Sequence, residues 1–189
     1  MVHMPHDLPP TMTVADFLDW PGDGTARRFQ LVDGEPRAIP PGSTTRGTIH
    51  ASLNGLIANH LAISGSSCYA ASRPPVAPRV RASLNLRALG VTCTPDTPGQ
   101  QTLPDPVLLI EILSPGNTAD TWDNVWSYTT IPSVREIVVV HSTRILVELL
   151  RRGADGHWPE EIGADGVLRL ESIVFSCPLS DVYAQTHLA

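Results

Sequence analysis

The chain has no lysine. All thirteen basic residues among its 189 are arginine. Arginine-only usage fits a high-GC coding bias, yet it excludes every mechanism that requires a lysine. Acid is missing from one long stretch as well. Between Pro36 and Pro95 there is no Asp or Glu, while Arg37, Arg46, Arg73, Arg79, Arg81 and Arg87 all fall there. That stretch is therefore +6 and the remainder −12, within a net charge of −6. An acidic protein is not a general adhesive for nucleic acid. An asymmetry of this kind marks a polyanion-facing surface if the arginines share a face, and nothing in particular if the fold scatters them.

Long apolar runs are absent too. The longest is Pro106-Val107-Leu108-Leu109-Ile110, against the roughly 18 residues that span a bilayer, so no membrane segment is expected. Met1 to His6 shows neither a basic nor an apolar leader pattern, and a cytoplasmic protein is expected. Cysteine is scarce: Cys68, Cys93 and Cys177 form no C-x-x-C pair. This argues against structural zinc and predicts free thiols in a reducing compartment. G-x-S-x-G, H-E-x-x-H and P-loop patterns are also missing. What remains is an ordinary folding composition, 42% hydrophobic and 17% charged, at a length that suits one domain over 11–189 behind a disordered tail of residues 1–10.

Periodicity supplies the elements. Thr13-Val14-Ala15-Asp16 resembles a capping box ahead of a short helix that ends at Trp20-Pro21-Gly22. Residues 28–32 and 35–39 flank Asp33-Gly34, a strong two-residue hairpin signal. After the Pro40-Pro41-Gly42-Ser43 break, Thr44 or Thr45 is expected to cap an amphipathic helix with Ile49, Leu53, Leu56, Ile57 and Leu61 on its apolar face. His50 and His60 lie off that face and read as boundary residues. A weak strand at Cys68–Ala71 precedes two stronger ones, 89–94 and 107–113. The loop between those two is too short for a crossover helix, so they should pair antiparallel. Asp120–Tyr128 reads as a helix with Trp122, Val125 and Trp126 on one side. Residues 135–140 and 145–150 are the clearest strand pair, and Asp155-Gly156 and Asp165-Gly166 predict small hairpins before a short 179–183 segment. The class is α/β (α+β), a mixed central sheet flanked by helices.

Glu111 interrupts the apolar strand 107–113. A carboxylate in such a run is costly to bury unless it is hydrogen-bonded, paired or bound to metal. It either caps amides at an exposed strand end or belongs to a site.

The order of these elements resembles the Uma-two family of putative restriction endonucleases, within the PD-(D/E)XK nuclease-like superfamily. The resemblance is carried by Phe29-Gln30-Leu31-Val32-Asp33-Gly34-Glu35, by Pro106 to Pro115, by Tyr128 with 131–136, and by Leu149-Leu150-Arg151-Arg152 with Asp155-Gly156-His157-Trp158. It implies a restriction-endonuclease-like sheet, an Asp and a Glu holding Mg²⁺, and DNA as the substrate. Two carboxylates on adjacent strands would position an ion that activates water and stabilises the leaving oxygen. A homodimer follows by analogy with enzymes that cut both strands.

The chain departs from that pattern at several positions. The family's hairpin glutamate is Gln30 here, and its helix lysine is Asn124. Its Pro-Asp pair should fall near Ala88, opposite Glu111, where no acid stands. Asp105 sits in a Pro-Asp pair, but about 20 Å along the strand from Glu111 at ~3.3 Å per residue. Two readings stay open. One is a Mg²⁺-dependent endonuclease with a degraded site: Glu111 as metal ligand and catalytic carboxylate, Gln30 and Asn124 as polar catalytic partners, and Asp33 or Glu35 as an unexpected second ligand. The other is a catalytically inactive nuclease fold that binds nucleic acid or a protein partner, with Arg73, Arg79, Arg81 and Arg87 as the DNA contacts.

Overall fold

The computed structural model describes residues 11–79, 83–85, 89–158, 160–162 and 166–189. The expected tail, Arg81, Arg87 and Ala88 lie outside them. Six strands form one mixed sheet in the order β3 (Tyr69–Ser72), β4 (Leu89–Thr92), β5 (Pro106–Leu113), β6 (Glu136–His141), β7 (Val147–Arg151) and β8 (Glu160–Ile162). All neighbours are antiparallel except β5 and β6, whose parallel pairing is joined by helix α3 (Thr118–Tyr128). Two hairpins stand apart: β1 (Phe29–Val32) with β2 (Glu35–Ala38), and β9 (Val167–Leu170) with β10 (Phe175–Pro178).

The alternation of β5 divides the core. Leu108, Ile110 and Ile112 pack with Ile49, Leu53, Ile57 and Leu61 of α2 (Thr44–Ile63) and with Val182 and Tyr183 of α4 (Leu179–Tyr183). Leu109 and Leu113 pack with Val125 and Tyr128 of α3. Successive strand residues face opposite sides, so Glu111 points with Leu109 and Leu113 toward α3. A third cluster, Met12, Phe17, Phe29, Leu31 and Leu84, lies beneath α1 (Val14–Asp19) and the first hairpin.

Several local expectations hold in detail. Thr13 Oγ1 accepts from the Asp16 amide while Asp16 accepts from the Thr13 amide, which completes the capping box. Asp33 and Gly34 both take positive φ, 52° and 83°, the mirror-image turn that matches strand twist. Strand β4 pairs with β5 through Leu89↔Ile110, Gly90↔Leu109 and Val91↔Leu108 before a bulge at Val91/Thr92.

Other expectations are corrected. Ser43, not Thr44 or Thr45, caps α2, because its hydroxyl reaches the Arg46 amide. The buried face of α3 is Thr121, Asn124, Val125 and Tyr128, while Trp126 is 55% exposed. The helix turns the Asn124 amide and the Tyr128 phenol inward over the Glu111 carboxylate, and the Trp126 indole is left outside. Cys68 and Cys93 are not free thiols: they form a disulfide joining β3 to β4 just beyond the Tyr69↔Thr92 pair. The cysteine argument for a reducing compartment therefore lapses. Cys177 is free and buried, and burial pushes its thiol up to about 11. Strands β9 and β10 are joined through Glu171–Ile173 and the left-handed Val174, and the turn expected at Asp165-Gly166 reaches outside the described residues. No helix among the described residues is long and apolar enough to cross a membrane.

Candidate functional site

Among the described residues, two carboxylates in the sheet are fully or almost fully buried, and their partners separate their roles. Glu136 opens β6 and accepts from the Glu171 and Ser172 amides at 3.0 and 2.8 Å and from Arg151 Nε at 3.0 Å. Those bonds tie the β9–β10 hairpin to the sheet, so Glu136 is scaffolding. Arg152 is scaffolding as well: it donates to the Thr129 and Ile131 carbonyls at 2.9 and 2.8 Å, closing the C-terminal end of α3, and stacks on Trp158.

Glu111 is different. Its Oε1 accepts from the Tyr128 hydroxyl at 2.7 Å and from Asn124 Nδ2 at 3.3 Å. Asn124 and Tyr128 are four residues apart on α3, so one helix face delivers both donors. Two donors on Oε1 help to hold a carboxylate in an apolar strand. Asn124, expected as a stand-in for lysine, is thus brought to Glu111. Tyr128 as a Glu111 donor escaped the sequence reading, although its spacing from Asn124 was there to be read.

The polar chain continues outward. Ser127 Oγ donates to the Asn124 carbonyl at 2.7 Å and accepts from Asn85 Nδ2 at 3.2 Å. These groups wall a cleft of about 370 Å³ between the first hairpin and α3, whose lining includes Val32, Asp33, Arg37, Asp123 and Trp126. Gln30 pairs with Arg37 across the hairpin and shares a strand face with Val32, so it lies between two residues that line the cleft. It is 1% exposed, and neither its amide oxygen nor its nitrogen has a hydrogen-bond partner.

The family's Mg²⁺ does not suit this donor set. Among the described residues no group of three or more His, Cys, Asp or Glu side chains could hold a metal ion. Ile110 pairs with Leu89, and the expected partner position of Glu111, Ala88, lies outside the described residues. Asp33 lines the cleft and its backbone amide donates to Ser83 Oγ at 3.1 Å. Glu35 is exposed, 3.8 Å from Arg37. Asp105 sits at the far end of β5, within 3.3 Å of Thr94 Oγ1. Neither hairpin acid completes a metal-holding group with Glu111.

Four arginines of the acid-free stretch are described, and they do not share one face. Arg37 lines the cleft, whereas Arg79 lines a separate pocket with Gln100, Leu103 and Asp105 and reaches the cleft wall only through its backbone amide, which donates to the Thr130 hydroxyl at 3.1 Å. Arg46 and Arg73 lie on the α2 side. Burial first, then the nearby charges of Arg73 and Arg46, hold the His50 imidazole below its ordinary pKa. Arg46 Nε also donates to the Ile112 carbonyl at 3.3 Å.

Comparison with known proteins agrees with this architecture. A solved structure described as a putative nuclease belonging to DUF820, from Anabaena variabilis, superposes with a TM-score of 0.72 over 92% of this chain and 98% of that one. At 15% identity the likeness shows the fold. An uncharacterized protein of Synechocystis sp. is 26% identical over 97% of both chains. The Uma2 family, described as putative restriction endonuclease, matches residues 14–179; with that match spanning most of its length, the chain belongs to the Uma2 family.

Proposed function

We propose that this protein is a nuclease-fold DNA-binding protein whose Glu111 site has lost metal-dependent hydrolysis. The observation that carries this reading is the Glu111 carboxylate itself. Its Oε1 is held by Tyr128 and Asn124, in a chain without lysine and without a three-ligand acidic group among the described residues. A single carboxylate locked by a phenol and an amide is a structural anchor; phosphodiester hydrolysis in this fold calls for a second carboxylate and a group that orients the attacking water. The retained Glu111 and the family's description as putative restriction endonuclease favour the enzymatic alternative.

DNA as the partner is supported by the family and by Arg37 in the cleft wall, with Arg79 on a neighbouring pocket. Arg73 would contact phosphate from the α2 side, and Arg81 and Arg87 belong to the same acid-free stretch. Duplex affinity should fall steeply as salt rises, and Arg79→Ala and Arg73→Ala should each lower the log–log salt slope by about 1. Fluorescence anisotropy with a labelled duplex checks this. Binding that ignores both salt and the arginines would reject the reading.

A further inference from the structure

We propose that the cleft between the β1–β2 hairpin and α3 receives one unpaired nucleobase carrying an exocyclic amine, stacked on Trp126 and read by the carboxamides of Asn85 and Asn124. This rests on the nucleic-acid reading above and adds a ligand class to it.

Four observations converge. The first is the exposed indole: Trp126 is 55% exposed on the cleft wall, with Trp122 against it at 6.0 Å between ring centroids. Aromatic side chains of this kind are the platforms on which splayed bases stack. The second is an excess of acceptors. Asn85 spends its Nδ2 on Ser127 and Asn124 spends its Nδ2 on Glu111. Both carboxamides line the cleft with one N–H engaged and an oxygen that can only accept, and Asp123 adds an exposed carboxylate beside them. Acceptors that converge select a ligand presenting N–H groups, as the amino edges of cytosine, adenine and guanine do. The third is Gln30, buried between cleft-lining residues with both amide atoms unpartnered. A buried amide left without partners is costly in a folded protein, and a ligand in the cleft could supply what it lacks. The fourth is size. At about 370 Å³ the cleft lies near the lower bound of about 300–1,000 Å³ for small-molecule sites, which suits one nucleotide and not a helix.

Charge fixes the orientation. Asp123 would repel a phosphate inside the cleft, whereas Arg37 can hold the backbone at its edge. The base enters and the phosphate stays out. Duplex DNA would have to extrude a base at a cost, so unpaired strands are the better ligands.

The test compares an oligodeoxycytidine, an oligothymidine and an abasic strand of one length by anisotropy, beside a duplex and free cytidine monophosphate. The expected order is oligodeoxycytidine tightest and the abasic strand weaker by about tenfold or more. Trp126→Ala should abolish the preference and Trp126→Phe retain part of it. Both variants should melt like the wild type, because the indole is largely outside. Equal affinity for the abasic strand, or a preference that survives Trp126→Ala, overturns the base site while duplex binding leaves the DNA reading standing. Binding of cytidine monophosphate without any strand or duplex overturns the nucleic-acid source and keeps the base site. No binding of any probe overturns both.

Discussion

At the residue scale, the two buried carboxylates show why one sequence signal has two outcomes. Glu111 and Glu136 both sit in apolar strands, yet Glu136 is held by backbone amides and Arg151 while Glu111 is held by side chains of a single helix. The Tyr128 bond is the stronger of the Glu111 pair by length. Tyr128→Phe should cost about 1–3 kcal/mol, since it removes a donor from a buried charge, and the loss should shrink in a Glu111→Gln background. Denaturant unfolding in a double-mutant cycle measures that coupling. His50 gives a pH dependence. Its pKa is lowered in the fold from the ordinary 6.5 by burial, Arg73 and Arg46, so the unfolded chain takes up the proton first as pH falls. The folded state therefore loses stability on acidification from about pH 7 through the ordinary histidine range. His50→Gln should flatten that part of the melting-temperature profile, and an unchanged profile would show that His50 is not the group responsible.

At the element scale, legibility followed the strength of the local code. The Asp33-Gly34 turn, the Thr13 capping box and the β4–β5 register were all readable, because turn stereochemistry, cap hydrogen bonding and strand alternation are local rules. The face of α3 was misjudged, because its inward residues are chosen by Glu111 on another element and not by hydrophobicity. The disulfide was invisible for a similar reason: Cys68 and Cys93 are 25 residues apart and meet only through β3–β4 pairing. It closes the edge of the sheet around the acid-free segment. Reduction should lower stability by about 3 kcal/mol on the chain-entropy account for a loop of this length. Comparing thermal melts with and without reductant checks this, and Cys68→Ser should show the same loss and no further response to reductant.

At the scale of the whole molecule, the buried polar side chains divide between those that brace the fold and those gathered at the cleft. Glu136 with Arg151, and Arg152 under the end of α3, brace the sheet, its second hairpin and its helix. Asn85 and Asn124 line the cleft with amides, and Gln30 lies buried beside it. The fold was legible from the order of elements. The candidate site was legible as a set of missing charges, but the cleft with Asn85, Ser127 and Trp126 was not, since it assembles from the hairpin, an irregular bridge at Asn85 and a helix. The most direct test of a binding fold without hydrolysis is nicking of supercoiled plasmid in Mg²⁺ or Mn²⁺, at protein concentrations that saturate duplex binding. Wild type and Glu111→Gln should leave the plasmid equally intact; nicking by the wild type that disappears in Glu111→Gln would contradict the account.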